Sequence, residues 1–268
     1  DALGVNPESN KDLFIQLVKK PDTKISLKVK CALLITSVDK ATGHSALDQL
    51  LKASESQKKV INSLKSNYYG MLYLLKAHSK GKVSDDQFTI ADKALMFSLH
   101  RKDASAFRKV IANANSKNSK GADAKIRKLN TAYKVNGGDA AKGEAFSASC
   151  LGCHQIGDKG VNLGPALGGY KTRDPEHLLT ALIKPDVAIE KGYELYRIVM
   201  KNGELQSGFL FNTSEFGTTI ASVGGSTSYF PKEQILQESL VRRQSNMPSF
   251  GALPDDALLN LIAYLKTL

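Results

Sequence analysis

The 268-residue sequence predicts a mainly α-helical chain with a small antiparallel sheet set into its second half. Three observations carry that reading. Residues 1–135 place apolar side chains at helical spacing in run after run. Asn136-Gly137-Gly138-Asp139 then breaks the pattern. Between Tyr193 and Phe230, β-branched and aromatic residues cluster in short runs separated by glycine turns. Two domains follow: a helical one over 1–135, and a second over 136–268 with the strands of 193–230 inserted in it.

The helices of the first domain are expected in order. Leu13, Ile15, Leu17 and Val18 form a short amphipathic run that Pro21 ends. A second helix covers about Ile25 to Val38, and a third contains Leu47, Leu50 and Leu51. Val60 to Leu75 reads as one apolar run through Ile61, Leu64, Tyr68, Met71 and Leu72. Further runs cover Gln87 to Leu99, Ala104 to Ala114, and Ala122 to Tyr133, the last with a basic face. Such a succession suggests a helical bundle or a HEAT-like stack.

In the second domain Asp139 caps a short helix from Ala140 to about Ser149. A strand over Tyr193 to Met200 is followed by Asn202-Gly203, a two-residue hairpin signal. Leu205 to Phe211, Thr218 to Val223 and Thr227 to Phe230 give three more strands, with Gly224-Gly225 as a turn. A last helix begins at Pro254, has Asp255 and Asp256 in its first turn, and buries Leu258, Leu259, Ile262 and Leu265.

Charge is divided unevenly between the halves. Residues 1–135 hold 25 Lys and Arg against 12 Asp and Glu, whereas residues 136–268 hold 12 against 14. The lysines are scattered, with no compact basic cluster among aromatics, so nucleic acid is not an expected partner. A solvated helical face is the plain reading, and attraction to an acidic partner the alternative. No segment approaches the ~20 apolar residues of a membrane span. The sequence begins at Asp1 rather than Met, read as a processed or trimmed chain from which any signal peptide is already gone.

Three cysteines are too few and too oddly spaced for a disulfide framework. Cys31 lies in the apolar run Cys31-Ala32-Leu33-Leu34-Ile35 and reads as a buried thiol. The other two form Cys150-Leu151-Gly152-Cys153-His154. This spacing suits two thiols adding across the two vinyl groups of haem, with His154 then beneath the iron. A zinc site would need a second ligand pair. A thioredoxin-like motif would need a strand before it, where this sequence has a helix. Downstream, Gly164-Pro165-Ala166-Leu167 offers a proline carbonyl to the second ring nitrogen of His154. Asn246-Met247-Pro248 offers a thioether, a ligand that favours ferrous iron.

Phe146, the Cys-X-X-Cys-His run, Gly164-Pro165-Ala166-Leu167, Met247-Pro248 and Leu261-Ile262-Ala263-Tyr264-Leu265 occur in an order that resembles class I c-type cytochromes. With Gly192-Tyr193-Glu194 and the inserted strands, residues 139–268 are most similar to the haem-binding domains of planctomycete and verrucomicrobial type. The resemblance implies one covalent haem c, with thioethers at Cys150 and Cys153 and with His154 and Met247 as iron ligands. It implies Pro165 behind His154, Leu167 against the haem, and Phe146 packing on the last helix. Tyr170 and Arg173 are candidates to reach the haem propionates, against the plain reading of a polar loop. One departure is that Gly143 precedes Phe146 by three residues where the family has four. Met71 and Met96 lie on apolar helical faces and read as core. His44, His78, His100 and His177 read as surface or capping residues.

The function implied is one-electron transfer in the periplasm or another extracytoplasmic space, with a redox partner protein. A sugar or alcohol dehydrogenase is the expected donor, on family association alone. Two rivals stand beside it: a haem enzyme or gas sensor of peroxidase type, which needs an open distal position, and a partner-docking module built on the helices and a sheet edge.

Overall fold

A computed structural model describes residues 6–53, 56–187 and 189–268. The chain divides into two compact units. The first runs to Ala114 and also includes Val199–Leu205, and the second comprises Asn115–Ile198 and Gln206–Leu268. This division falls at 114/115, within a helix, whereas the sequence had suggested the glycine pair after Asn136.

In the first unit α1 (Lys11–Lys19), α2 (Ile25–Val38) and α3 (Lys40–Lys52) follow the expected runs. Asp39 starts α3 by accepting the Thr42 amide at 3.0 Å. The apolar stretch read as one helix is two, α4 (Gln57–Lys65) and α5 (Tyr68–Ser79). Asn67 makes the break, its Oδ1 accepting from the amides of Tyr69 and Gly70 at 3.0 and 3.1 Å. A Cβ on Gly70 would lie 2.4 Å from the Leu64 carbonyl oxygen, so the return needs glycine. Both helices bury their apolar faces in one core, through Val60, Ile61, Leu64, Met71 and Leu74, which is why the sequence shows no gap. Helix α6 (Ile90–Leu99) starts in a Thr89/Asp92 capping box, with Met96 in the core.

The two runs expected at 104–114 and 122–133 are one 29-residue helix, α7 (Arg108–Asn136). Its middle is polar on every side, so apolar periodicity vanishes while the helix continues. Gly121 sits within it and costs about 1 kcal/mol relative to alanine.

In the second unit α8 (Ala140–Ser147) lies against α10 (Asp255–Leu265). Gly143 is the crossing point: a Cβ there would lie 2.0 Å from the Asn260 carbonyl oxygen. Helix α9 (Pro175–Ile183) opens with Asp174 as its cap and Pro175 in the first turn. Leu178, Leu179 and Leu182 from α9 share a core with Leu258, Leu261 and Ile262 from α10 and Ile126 and Leu129 from α7. Phe146 does not pack inward as expected and is 44 % exposed. With Gly143 at the crossing, the residue one turn on at i+4 is Ser147, and that residue is buried instead.

A two-stranded ribbon, β1 (Gln155–Ile156) and β2 (Lys159–Gly160), follows the cysteine motif. The larger sheet has β3 (Glu194–Met200), β4 (Leu205–Thr213), β5 (Gly217–Ala221), β6 (Thr227–Pro231) and β7 (Ile235–Ser245), in the order β6-β5-β4-β3-β7. Four strands match the expectation and β7 was not foreseen. As an edge strand exposing Leu236, Leu240, Arg242 and Arg243 and burying only Ile235, it lacks the alternating apolar face that would betray it. The inserted sheet therefore runs to Ser245. The β3–β4 connection is not a two-residue turn either. Met200 donates to the Glu204 carbonyl, and Gly203 takes φ +83°, a three-residue loop closed by a left-handed glycine.

Among the described residues no helix is long and apolar enough to cross a membrane. Cys31 is buried, as read. His100 is buried rather than superficial: it ends α6 and its Nε2 lies 3.0 Å from the Tyr68 carbonyl oxygen.

Candidate functional site

The site is built from the turn that ends α8. The 3₁₀ turn Ala148–Gly152 carries the chain past Cys150, and the Cys153 and His154 amides both donate to the Cys150 carbonyl, at 3.1 and 2.8 Å. Two sulfurs and an imidazole are thus presented from one compact loop. The loop is tied down by the chain that follows. Leu163 and Gly164 donate to the Cys153 carbonyl at 2.9 and 2.7 Å, Val161 to Leu151 at 3.0 Å, and Leu167 to Gln155 at 2.9 Å.

His154 is fixed in orientation and tautomer. Its Nδ1 lies 2.6 Å from the Pro165 carbonyl oxygen. A carbonyl only accepts, so Nδ1 carries the proton and Nε2 keeps its lone pair for a metal. Gly164 packs flat against the ring: a Cβ there would sit 2.7 Å from Cε1 and 2.9 Å from Nδ1. Burial pushes the thiols of Cys150 and Cys153 up from their ordinary range, keeping them as neutral S–H groups.

A cavity of about 250 Å³ opens beside these groups, against the ~10–15 Å³ that a single water requires on the same measure. Cys150, Cys153, His154, Pro165, Leu167, Tyr170 and Met247 all line it. Most of its remaining wall is apolar, through Leu178, Leu182, Phe209, Val223 and Phe250. Burial raises the Tyr170 hydroxyl, with Glu190 adding to the effect. Arg173 does not line the cavity. Its guanidinium lies over the Tyr170 ring at 5.7 Å and 4.0 Å from Glu190, one layer behind the wall.

Met247 enters from the segment between β7 and α10. Its amide donates to Ser245 Oγ at 3.0 Å, and the chain beyond it docks on the end of α9 through Phe250 N to Leu182 O (2.8 Å) and Ser249 Oγ to Ile183 O (2.7 Å). The inserted sheet also reaches the site. Gly224 in the β5–β6 turn donates to the Gly152 carbonyl at 2.8 Å, inside the cysteine motif. Sequence reading missed Phe209, Val223, His177 and Glu190 as wall residues. His177, exposed in the first turn of α9, does more than cap, because it stands at the cavity.

These residues fit a covalently held haem. Two neutral thiols, an imidazole with a free Nε2 and a thioether surround one largely apolar cavity. Among the described residues no group of three or more His, Cys, Asp and Glu side chains is placed to hold a bare metal ion.

Comparison with known proteins agrees. The family model described as cytochrome c matches residues 140–203. A cytochrome c2 of Rhodospirillum rubrum is 29 % identical over 132 residues, covering 49 % of this chain and 82 % of the relative. A second cytochrome c2 of the same organism is 28 % identical over 132 residues, covering 49 % of this chain and 98 % of its own length. Together these findings support a class I c-type cytochrome domain in the second half of this chain, a family that binds haem c covalently and serves haem-based electron transfer.

Proposed function

We propose that this chain is a monohaem c-type cytochrome that carries single electrons between partner proteins outside the cytoplasm. The observation that carries the reading is the cavity itself, whose lining brings together Cys150, Cys153, His154 and Met247. The sequence contains one Cys-X-X-Cys-His motif, and the third cysteine, Cys31, is buried in the other unit, which supports one haem per chain.

In this reading each thiol adds across one vinyl group. Sulfur would bond to the carbon next to the ring and the thiol hydrogen would go to the terminal carbon, so that Cys150 and Cys153 would hold the haem with no oxidant consumed. His154 Nε2, held by the Nδ1–H bond to Pro165, and Met247 Sδ would be the groups that hold the iron. Haem, when bound, supplies a one-electron carrier. The protein's part is to hold both ligands, keep water from the apolar walls and set the potential by burial. Leu167 and Tyr170 line the pocket, and Arg173 acts on it through Tyr170 and Glu190.

The extracytoplasmic location rests on the resemblance to c-type cytochromes that attach haem after export. A dehydrogenase of sugars or alcohols as electron donor rests on family association alone. Consecutive helices of the first unit touch in sequence, α1 with α2, α2 with α3 and α4 with α5, which supports a short helical stack there.

The test is covalent attachment. The full chain, expressed with a haem-attachment system and then denatured and extracted with acidified acetone, is expected to keep one haem equivalent. The Cys150→Ala/Cys153→Ala double variant is expected to release all of it. A parent that loses its haem on extraction refutes the reading.

A further inference from the structure

A lysine from α7 grips the chain just beyond Met247. Lys125 Nζ donates to the Gly251 carbonyl at 2.8 Å and to the Leu253 carbonyl at 2.9 Å, and lies 3.4 Å from Asp255 Oδ1. The side chain is only 26 % exposed. Without Lys125 the two carbonyls have no partner among the described groups that reaches from a regular element. A second lysine ties α7 to the end of α9. Lys184 Nζ donates to Asp123 Oδ1 at 2.6 Å and to Ser119 Oγ at 3.0 Å. That end of α9 is also where Ser249 and Phe250 dock. All of these groups belong to the second unit.

We propose that Lys125 is a positioning residue for the distal ligand, holding the 247–253 segment so that Met247 stays seated in the cavity. The proposal rests on Met247 being that ligand. The physical case is one of loop freedom. The segment between β7 and α10 is irregular, and each of its residues must give up backbone freedom to be held in one place. A thioether brought in on such a segment holds the iron only as firmly as the segment is held. Ser249 and Phe250 fix its middle. Lys125 fixes its far end with hydrogen bonds from an ionised donor, the stronger kind. It does so from a 29-residue helix, which is a stiff anchor. The chain's basic α7, read from sequence as part of a separate helical domain, thereby supports the haem site.

The readout is the weak far-red band of methionine-ligated ferric haem in the oxidised full-length holoprotein, followed with temperature beside the far-UV circular dichroism melt. Lys125→Met is expected to raise the methionine-off population about tenfold at 25 °C, equivalent to about 1.4 kcal/mol, and to lower the band's half-loss temperature more than the unfolding midpoint. Lys125→Arg restores donors to the carbonyls and is expected to recover most of the loss. Lys128→Met, which removes only the exposed pair with Asp255, is the control and is expected to leave the band unmoved. The proposal is overturned if Lys125→Met leaves the band unchanged, or if band and unfolding midpoints fall together. Met247→Ala separates the two readings. If that variant keeps the band, Met247 is not the ligand. If it loses the band while Lys125→Met does not, only the role of Lys125 fails.

Discussion

Two glycines in helices give opposite expectations for the same substitution. Glycine costs a helix interior about 1 kcal/mol relative to alanine, so propensity alone says that Gly→Ala stabilises at either place. At Gly121 in α7 a Cβ would meet nothing within 4 Å, and Gly121→Ala is expected to raise stability by about 0.5–1 kcal/mol. At Gly143 in α8 the same carbon would lie 2.0 Å from the Asn260 carbonyl oxygen and 2.8 Å from Tyr264 Cβ. Ordinary contact begins at 3.4 Å, so the helices must separate by more than 1 Å. The move disturbs α10, whose Leu258, Leu261 and Ile262 fill the core. Overpacking of this kind costs roughly 1–3 kcal/mol, and rigid backbone on the far side puts this case at the top of the range. Subtracting the helical gain leaves about 2 kcal/mol of net loss. For a unit of this size that lowers Tm by about 4–8 °C. The assay is thermal unfolding of the holoprotein followed at the haem absorption, which reports on the second unit. A Gly143→Ala variant that melts at or above the parent refutes the crossing of α8 and α10 described here.

Two further expectations are independent of that one. Gly164→Ala brings a methyl within 2.7 Å of the His154 ring, so the ring must turn away from Pro165. The variant is expected to lose about 1–3 kcal/mol of stability and to show a perturbed haem spectrum, and an unchanged spectrum contradicts the packing. Acid is expected to weaken the first unit in two stages. Burial holds His100 below the usual imidazole range, so the stability of its neutral form is lost as pH falls below about 6.5. Lys82 and Tyr73 hold Asp48 low; burial pushes Asp92 up, but Lys65 and Thr89 together outweigh it and hold Asp92 low. Their contributions are present above about pH 4 and are lost as pH falls through the depressed values. Denaturant midpoints measured at a series of pH values by near-UV circular dichroism check this, and a flat profile from neutrality to pH 3 sinks it.

The elements most legible in the sequence were those with a strong period or a strong local device. The helix Ile25–Val38 was legible, about Ile25 to Val38 being expected, because it is a dense apolar run. The cysteine motif was legible because five adjacent residues carry the whole chemistry. Elsewhere tertiary structure overrode pattern. Asn67 split one apolar run into two helices through a cap that a continuous stripe concealed. The polar middle of α7 hid a helix that its two ends support. Strand β7 was lost because an edge strand with charged residues outward has no period to display. The cavity walls divide in the same way. Residues near the motif in sequence, such as Pro165 and Leu167, were found. Phe209, Val223 and His177 arrive from the inserted sheet and from α9, and only the fold brings them there. Phe146 shows the reverse, since its place one turn before Cys150 suggested packing on the last helix and the local geometry leaves it exposed.

Ligation of the iron is the most direct test of the account. The oxidised spectrum of the purified holoprotein, measured for the parent and for Met247→Ala, is expected to be low-spin with the far-red methionine band in the parent and to lose that band in the variant. A high-spin parent, or a band that survives the loss of Met247, contradicts a His154/Met247 electron carrier and favours a haem protein with an open distal position.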